Sequence, residues 1–288
     1  MSKARTLGLY AVALAMAALL ASCAKKPTAP RSGVERMYVL DCGENQANDV
    51  SPWLPGVAAG TPGEFSIHCY LIRHAAGLML WDAGLADSIA DSPNGVTRGN
   101  GAIRSIVRKT LSSQLAEIGV KPEEITHIAF SHMHADHVGN ANTFTRARLY
   151  IQEAEYEAAF GPDASKFGFD PSNYDRLRSD IVLKLNGDYD VFGDGSVTIL
   201  STPGHTPGHQ SLLVRLPQRG AVLLSGDVVH SADNWVNRRV PVYNFSQEQS
   251  RQSMEKITEL VKVNKAQLWI NHDKTQNAGI PKSPAYVE

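Results

Sequence analysis

Four metal-binding side chains fall within six residues: His132, His134, Asp136 and His137, in the run Ser131-His132-Met133-His134-Ala135-Asp136-His137. The run follows an apolar stretch, residues 125–130, that reads as a short strand. His132 and His134 are two apart and point the same way in extended chain. Asp136 and His137 follow at the turn into the next element. Imidazole and carboxylate at this density suit zinc or a similar first-row ion. A lone His is usually a satisfied core residue, but four such groups crowded at one strand end need a common task. Three later segments repeat the placement. Thr202-Pro203-Gly204-His205-Thr206-Pro207-Gly208-His209 follows a strand at 197–201, Ser225-Gly226-Asp227 follows one at 221–224, and Asn271-His272-Asp273 follows one at 267–270. Each is weak alone; as a set they put ligand-type residues in loops that can converge on one site.

The elements that must position these loops read as sheets covered by helices, an α/β arrangement. Further strands are predicted at 37–40, 65–73, 78–81, 149–152, 191–192 and 210–216. Helices are predicted at 153–160 and 247–263. A third, at 103–118, rests on Ile103, Ile106, Val107, Leu111, Leu115 and Ile118, with Gly119 as its stop. Residues 42–64, rich in Gly, Pro and Asn, read as a long loop.

With these residues in place, the chain resembles the metallo-β-lactamase fold superfamily over residues 37 to about 280. The H-x-H-x-D-H motif is His132, His134, Asp136 and His137; P-G-H-T-P-G-H carries His205; S-G-D carries Asp227; the final His is His272. The resemblance implies an αβ/βα sandwich of two mixed sheets with outer helices. It also implies two zinc ions, one held by His132, His134 and His205, the other by Asp136, His137 and His272, with Asp227 bridging. His209 is implied to be structural. The Cys ligand of many zinc β-lactamases is absent, since no Cys occurs after residue 69.

Asp41-Cys42-Gly43, Tyr70-Leu71-Ile72-Arg73-His74, Leu80-Trp81-Asp82-Ala83-Gly84-Leu85 and the stretch 246–256 resemble the N-acyl homoserine lactonase branch. The implied reaction is opening of the lactone ring by a metal-bridging hydroxide, with an acyl homoserine lactone as substrate and a homodimer as the assembly. That branch commonly has Tyr three residues after the bridging Asp; here the residue is His230. An imidazole titrates near neutrality and can supply a proton to a departing alkoxide, so Asp136 and His230 are the candidates for proton handling. The bland alternative makes His230 a packing residue and the substrate a different one. Aromatics at Trp53, Phe160, Phe167, Phe169, Tyr174, Trp235, Tyr243 and Phe245 could fill the core or line an acyl pocket.

Other activities carry less support. A thioesterase of the glyoxalase II kind would need cations to read peptide carboxylates, and Arg238-Arg239 is the one local pair after Asp227. A phosphodiesterase shares the metal motif. A structural metal protein is disfavoured, because structural zinc sites are usually four-coordinate and Cys-rich. A Ser-His-Asp hydrolase lacks its G-x-S-x-G elbow.

The 288 residues carry 28 Lys+Arg against 29 Asp+Glu, with 43% hydrophobic residues. That balance disfavours wholesale disorder and offers no basic excess for a nucleic-acid partner. Lys3 and Arg5 precede an uncharged apolar run, a secretory signal pattern. The run ends in Leu20-Ala21-Ser22-Cys23, which resembles the lipobox of bacterial lipoproteins. Residues 1–22 are then a signal peptide and Cys23 a lipidated N-terminus. Residues 23–36 form a tether, and residues 37–288 the hydrolase domain in the bacterial cell envelope, facing the periplasm or exterior. Cys42 and Cys69 admit two readings. An exported protein can hold a disulfide; the burial usual for Cys favours two thiols on neighbouring strands.

Overall fold

The computed structural model describes residues 33–179 and 182–288; the signal segment and Cys23 lie outside them. The first strand, β1 (Val34–Ala47), starts three residues before the domain boundary drawn from sequence and runs into the predicted 42–64 loop. Its second half is polar, with Glu44, Asn45 and Gln46. It stays extended because it pairs with β2 (Gly63–His74) on one side and β5 (Ile103–Ile106) on the other. That second pairing also replaces the predicted helix at 103–118. Residues 103–106 form a strand, and the helix α1 is confined to Leu111–Glu117, where the Thr110 side chain caps the Ser113 N–H.

The remaining strands of the first sheet are β3 (Gly77–Trp81), β4 (Val96–Arg98), β6 (Ile125–Ala129), β7 (Arg148–Gln152), β8 (Val182–Leu185) and β14 (Tyr286–Val287). Their order is β4-β5-β1-β2-β3-β6-β7-β8, with β14 paired to β1. β1, β2 and β3 are antiparallel, and β3, β6, β7 and β8 are parallel. The second sheet runs β13-β12-β11-β10-β9, from β9 (Tyr189–Asp190), β10 (Val197–Ser201), β11 (Gln210–Leu216), β12 (Gly220–Leu224) and β13 (Gln267–Trp269). The strand expected at 191–192 is displaced two residues toward the N-terminus.

Strand alternation decides the layers, because successive side chains face opposite ways. Met37, Val39, Tyr70, Ile72, Met79 and Trp81 face inward and meet Val197, Ile199, Leu212, Val214, Val222 and Leu224 between the sheets. Leu40, Leu71, Leu80 and Ile128 face the other way and pack with Leu111 and Leu115 of α1. On the far side Leu200, Leu213 and Leu223 lie under Met254 and Ile257 of α5 (Gln247–Asn264). Each such aliphatic side chain contributes about 1.5–3 kcal/mol when fully buried. The result is an αβ/βα sandwich.

The two thiols expected on neighbouring strands are bonded: Cys42 of β1 and Cys69 of β2 form a disulfide with Cα atoms 5.9 Å apart. Their positions are right for either state, so sequence spacing alone could not choose between them.

Candidate metal centre

The ligand-type residues leave the C-terminal ends of β6, β10, β12 and β13. Among the described residues, four overlapping groups could hold a metal. They are His132–His134–His205, His132–His137–Asp227, Asp136–His137–His272 and His205–Asp227–His230, each with its ligand atoms within 4.8 Å of one another. All seven residues expected to bind metal therefore meet in one place. Asp227 stands between two halves of the cluster. Its Oδ2 lies 3.5 Å from His205 Nε2 and 3.1 Å from His272 Nε2, and its Oδ1 lies 3.4 Å from His137 Nε2.

Each ligand imidazole has its outer nitrogen tied to an acceptor, which turns the other nitrogen toward the centre. His134 Nε2–H donates to the Phe167 carbonyl at 2.9 Å, and His272 Nδ1–H to the Ser66 carbonyl at 2.9 Å. His205 Nδ1–H donates to Asn244 Oδ1 at 3.1 Å, and His137 Nδ1–H to Asp82 Oδ2 at 3.0 Å. Ser131 Oγ donates to Asp82 and so accepts from His132 Nδ1–H at 3.1 Å. In consequence His134 Nδ1 faces His132 Nε2 at 2.8 Å and His205 Nε2 at 3.1 Å with no hydrogen between them. Three converging lone pairs repel unless a cation sits among them. His137 Nε2 and Asp227 Oδ1 are also buried without a hydrogen-bond partner. The donor set thus fits metal ions.

The electrostatics agree. Burial holds His132 and His205 well below the usual histidine range, and His134 below it, so all three are neutral. Burial opposes charge on His137, yet Asp227, Asp82 and Asp136 raise it to about 10. His272 rises in the same way, against burial, chiefly through Asp227. The neighbouring carboxylates thus favour the charged form of both imidazoles, and bound cations would displace the protons.

His209 is not part of the donor set. Its Nε2 accepts from the Asp227 N–H at 2.8 Å and its Nδ1–H donates to the Thr202 carbonyl at 3.0 Å, which anchors the bridging Asp. Gly226, at φ 54°, lets the chain pass over it, since a Cβ there would sit 2.6 Å from His209 Nε2.

Sequence reasoning missed two buried acids. Asp82 follows β3 in a left-handed conformation (φ 59°), accepts from the Ser131 N–H at 2.6 Å and carries His137. Its place just past a strand end was the signal that could have found it. Glu155, in α3 (Glu153–Phe160), accepts from the Met133 N–H at 3.0 Å, the Thr206 hydroxyl at 3.0 Å and the Gly208 N–H at 2.8 Å. It ties the loop of His132 and His134 to the loop of His205. Gly208 permits this approach, since a Cβ there would lie 2.3 Å from the Glu155 nitrogen. Nothing in the local pattern marks Glu155.

A cavity of about 620 Å³ opens above the ligands, walled by Trp53, Phe65, Phe167, Tyr243 and Phe245 and floored by His134, Asp136, Asp227 and His230. Of the other aromatics considered for it, Phe169 and Tyr174 are buried in the core, Phe160 packs against that core, and Trp235 packs under α5. His230 is buried, with Nε2 3.2 Å from Asp227 Oδ2.

Known proteins show the same design. The metallo-beta-lactamase superfamily model matches residues 62–262. N-acyl homoserine lactonase AttM of Azorhizobium caulinodans is 33% identical over 88% of this chain and 98% of that protein. AttM of Agrobacterium fabrum is 32% identical over 79% of this chain and 89% of that protein. A structure of a Bacillus thuringiensis AiiA variant with N-decanoyl-L-homoserine at its active site superposes with a TM-score of 0.76 at 28% identity. It covers 88% of this chain and 99% of that one. A structure of an N-acyl homoserine lactone hydrolase with N-hexanoyl-L-homoserine at its catalytic metal centre gives the same TM-score, identity and coverage. The chain belongs to the metallo-beta-lactamase superfamily and, within it, to the N-acyl homoserine lactonase family.

Proposed function

We propose that this protein is a dizinc hydrolase that opens the lactone ring of N-acyl homoserine lactones, and so quenches quorum signals. The convergence of seven ligand side chains beneath an apolar cavity carries the reading, supported by the near full-length similarity to AttM. His132, His134 and His205 would hold one ion, Asp136, His137 and His272 the other, with Asp227 shared. When bound, the ions supply Lewis acidity and a water nucleophile active at neutral pH.

The chain's own residues do the rest. Trp53, Phe167 and Phe245 give the acyl chain an apolar wall. Asp136, one oxygen held by the Asn45 amide at 3.1 Å, carries a proton. The water oxygen ends in the new carboxylate, the ring C–O bond breaks, and a proton passed by Asp136 ends on the departing oxygen as a hydroxyl. His230, the second candidate for proton handling, lines the cavity with Tyr243 on it at 3.2 Å.

The proposal extends to location. Removal of residues 1–22, lipidation of Cys23 and tethering by residues 24–33 would anchor the domain in a bacterial cell envelope. The Cys42–Cys69 disulfide suits the oxidising compartment this requires. A homodimer is proposed on the family resemblance, for light scattering to test.

Ring opening by the zinc-loaded protein, followed with a pH indicator on short- and long-chain lactones, tests the function. The expected result is rapid opening that falls more than about a thousandfold in His134→Ala, as loss of metal chemistry worth several kcal/mol requires. Faster cleavage of bis(p-nitrophenyl) phosphate than of any lactone would overturn the substrate assignment.

A further inference from the structure

Above the ligands, three side chains from distant parts of the chain meet: Trp53 after β1, His230 after β12 and Tyr243 before α5. The Tyr243 hydroxyl lies 3.2 Å from His230 Nε2. The Trp53 and Tyr243 rings meet edge to face at 5.9 Å, and Asn234 Nδ2 donates to the Trp53 carbonyl at 2.9 Å.

The direction of the His230–Tyr243 bond follows from chemistry. His230 Nδ1 is buried with no partner, while Nε2 sits 3.2 Å from the Asp227 carboxylate. A hydrogen on Nδ1 would be orphaned and would leave Nε2 as a lone pair against an anion. A hydrogen on Nε2 avoids both costs. His230 Nε2–H therefore donates to the Tyr243 oxygen. Carrying that hydrogen, Nε2 is no metal ligand, although it lies among ligand atoms. With its oxygen accepting from His230, Tyr243 has its own hydrogen free to turn into the cavity that both residues line. A phenol, with an ordinary pKa of about 10, carries that hydrogen at neutral pH.

We propose that Tyr243 donates a hydrogen bond to the ester oxygen that departs as the lactone opens, and that His230 is a positioning residue acting through Tyr243. This rests on the lactonase reading. It assigns the phenol of the site to a loop outside every motif, and gives the His at position 230 a reason to be there. An alkoxide is a poor leaving group, and a preorganised donor aimed at it is worth about 10²–10³ in rate.

The test compares kcat of the full zinc-loaded chain on an N-acyl homoserine lactone and on the matching thiolactone. The thiolactone's sulfur leaves as a much less basic anion and accepts hydrogen bonds weakly. Tyr243→Phe is expected to lose about a hundredfold on the lactone, to stay within about threefold on the thiolactone, and to keep two metals per chain. His230→Ala should show the same selective loss, and should add nothing in the Tyr243→Phe background. A Tyr243→Phe enzyme within twofold of wild type on the lactone, or impaired equally on both substrates, overturns the donor assignment. A further loss on adding His230→Ala overturns the positioning role. Absence of wild-type lactone turnover sinks the lactonase reading and this inference with it.

Discussion

The floor and the roof of the cavity are built on opposite terms. The floor is made at strand ends, where His132, His137 and Asp227 are 1%, 0% and 4% exposed and every ligand imidazole has its outer nitrogen bound. The roof is made by loops, where Tyr243 and Phe245 are 42% and 53% exposed. Ring contacts such as Phe167–Phe245 at 5.9 Å hold it together. A metal centre needs fixed donor directions, which only a packed sheet and a full set of hydrogen bonds supply. An acyl chain asks for apolar area, which a less ordered surface can provide.

The largest effect expected from testing that contrast lies beneath the floor. Glu155 is fully enclosed, and burial raises its carboxyl to about 7 despite three donors. The folded protein thus keeps a proton that the unfolded chain, at 4.5, releases. The stabilisation is full below pH 4.5 and lost as pH rises through about 7. Glu155→Gln cannot titrate. Between pH 5 and pH 8 the stability of wild type should fall relative to this variant by about 2.5 kcal/mol, at 1.36 kcal/mol per unit. Urea unfolding of both proteins at the two pH values measures it; a constant difference would mean that Glu155 is ionised throughout and holds the two loops as a charge.

Next in size is Asp82→Asn. The amide cannot accept from both Ser131 and His137 as the carboxylate does, so His137 loses its orientation. Metal affinity should fall about 10- to 100-fold, read by competition with a chelator. An unchanged affinity would show that packing alone aligns His137.

The same division explains what the sequence disclosed. His132, His134, Asp136 and His137 are close in the chain because one strand end presents them, so spacing revealed them. His205, Asp227 and His272 repeat the placement after their own strands. Strands β10, β11, β12 and β13 were legible as short apolar runs, and helix α5 because it buries one face and local periodicity records it. Residues 103–106 were misread because their apolar spacing also fits a helix, and only pairing with β1 decides otherwise. The polar end of β1 was misread because Glu44 and Asn45 are held by polar partners, Arg108, Lys274 and Asp136, rather than by an apolar core. Asp82, Glu155 and the Tyr243 hydroxyl act on residues 49 to 55, 22 to 53 and 13 positions away. No local pattern encodes such contacts.

The smallest expected effect is on the roof. Phe245 stands at the cavity mouth beside Phe167, away from every ligand atom's hydrogen bonds. Truncation in Phe245→Ala removes apolar area that only a long acyl chain reaches. About 40 Å² of lost contact at about 25 cal/mol per Å² is worth about 1 kcal/mol, or about fivefold in KM. KM should rise by that factor for a decanoyl substrate and stay level for a butanoyl one, with kcat unchanged for both. If the short substrate suffers equally, the roof shapes the ring's own position, and the contrast between a rigid floor and an adaptable roof fails at this residue.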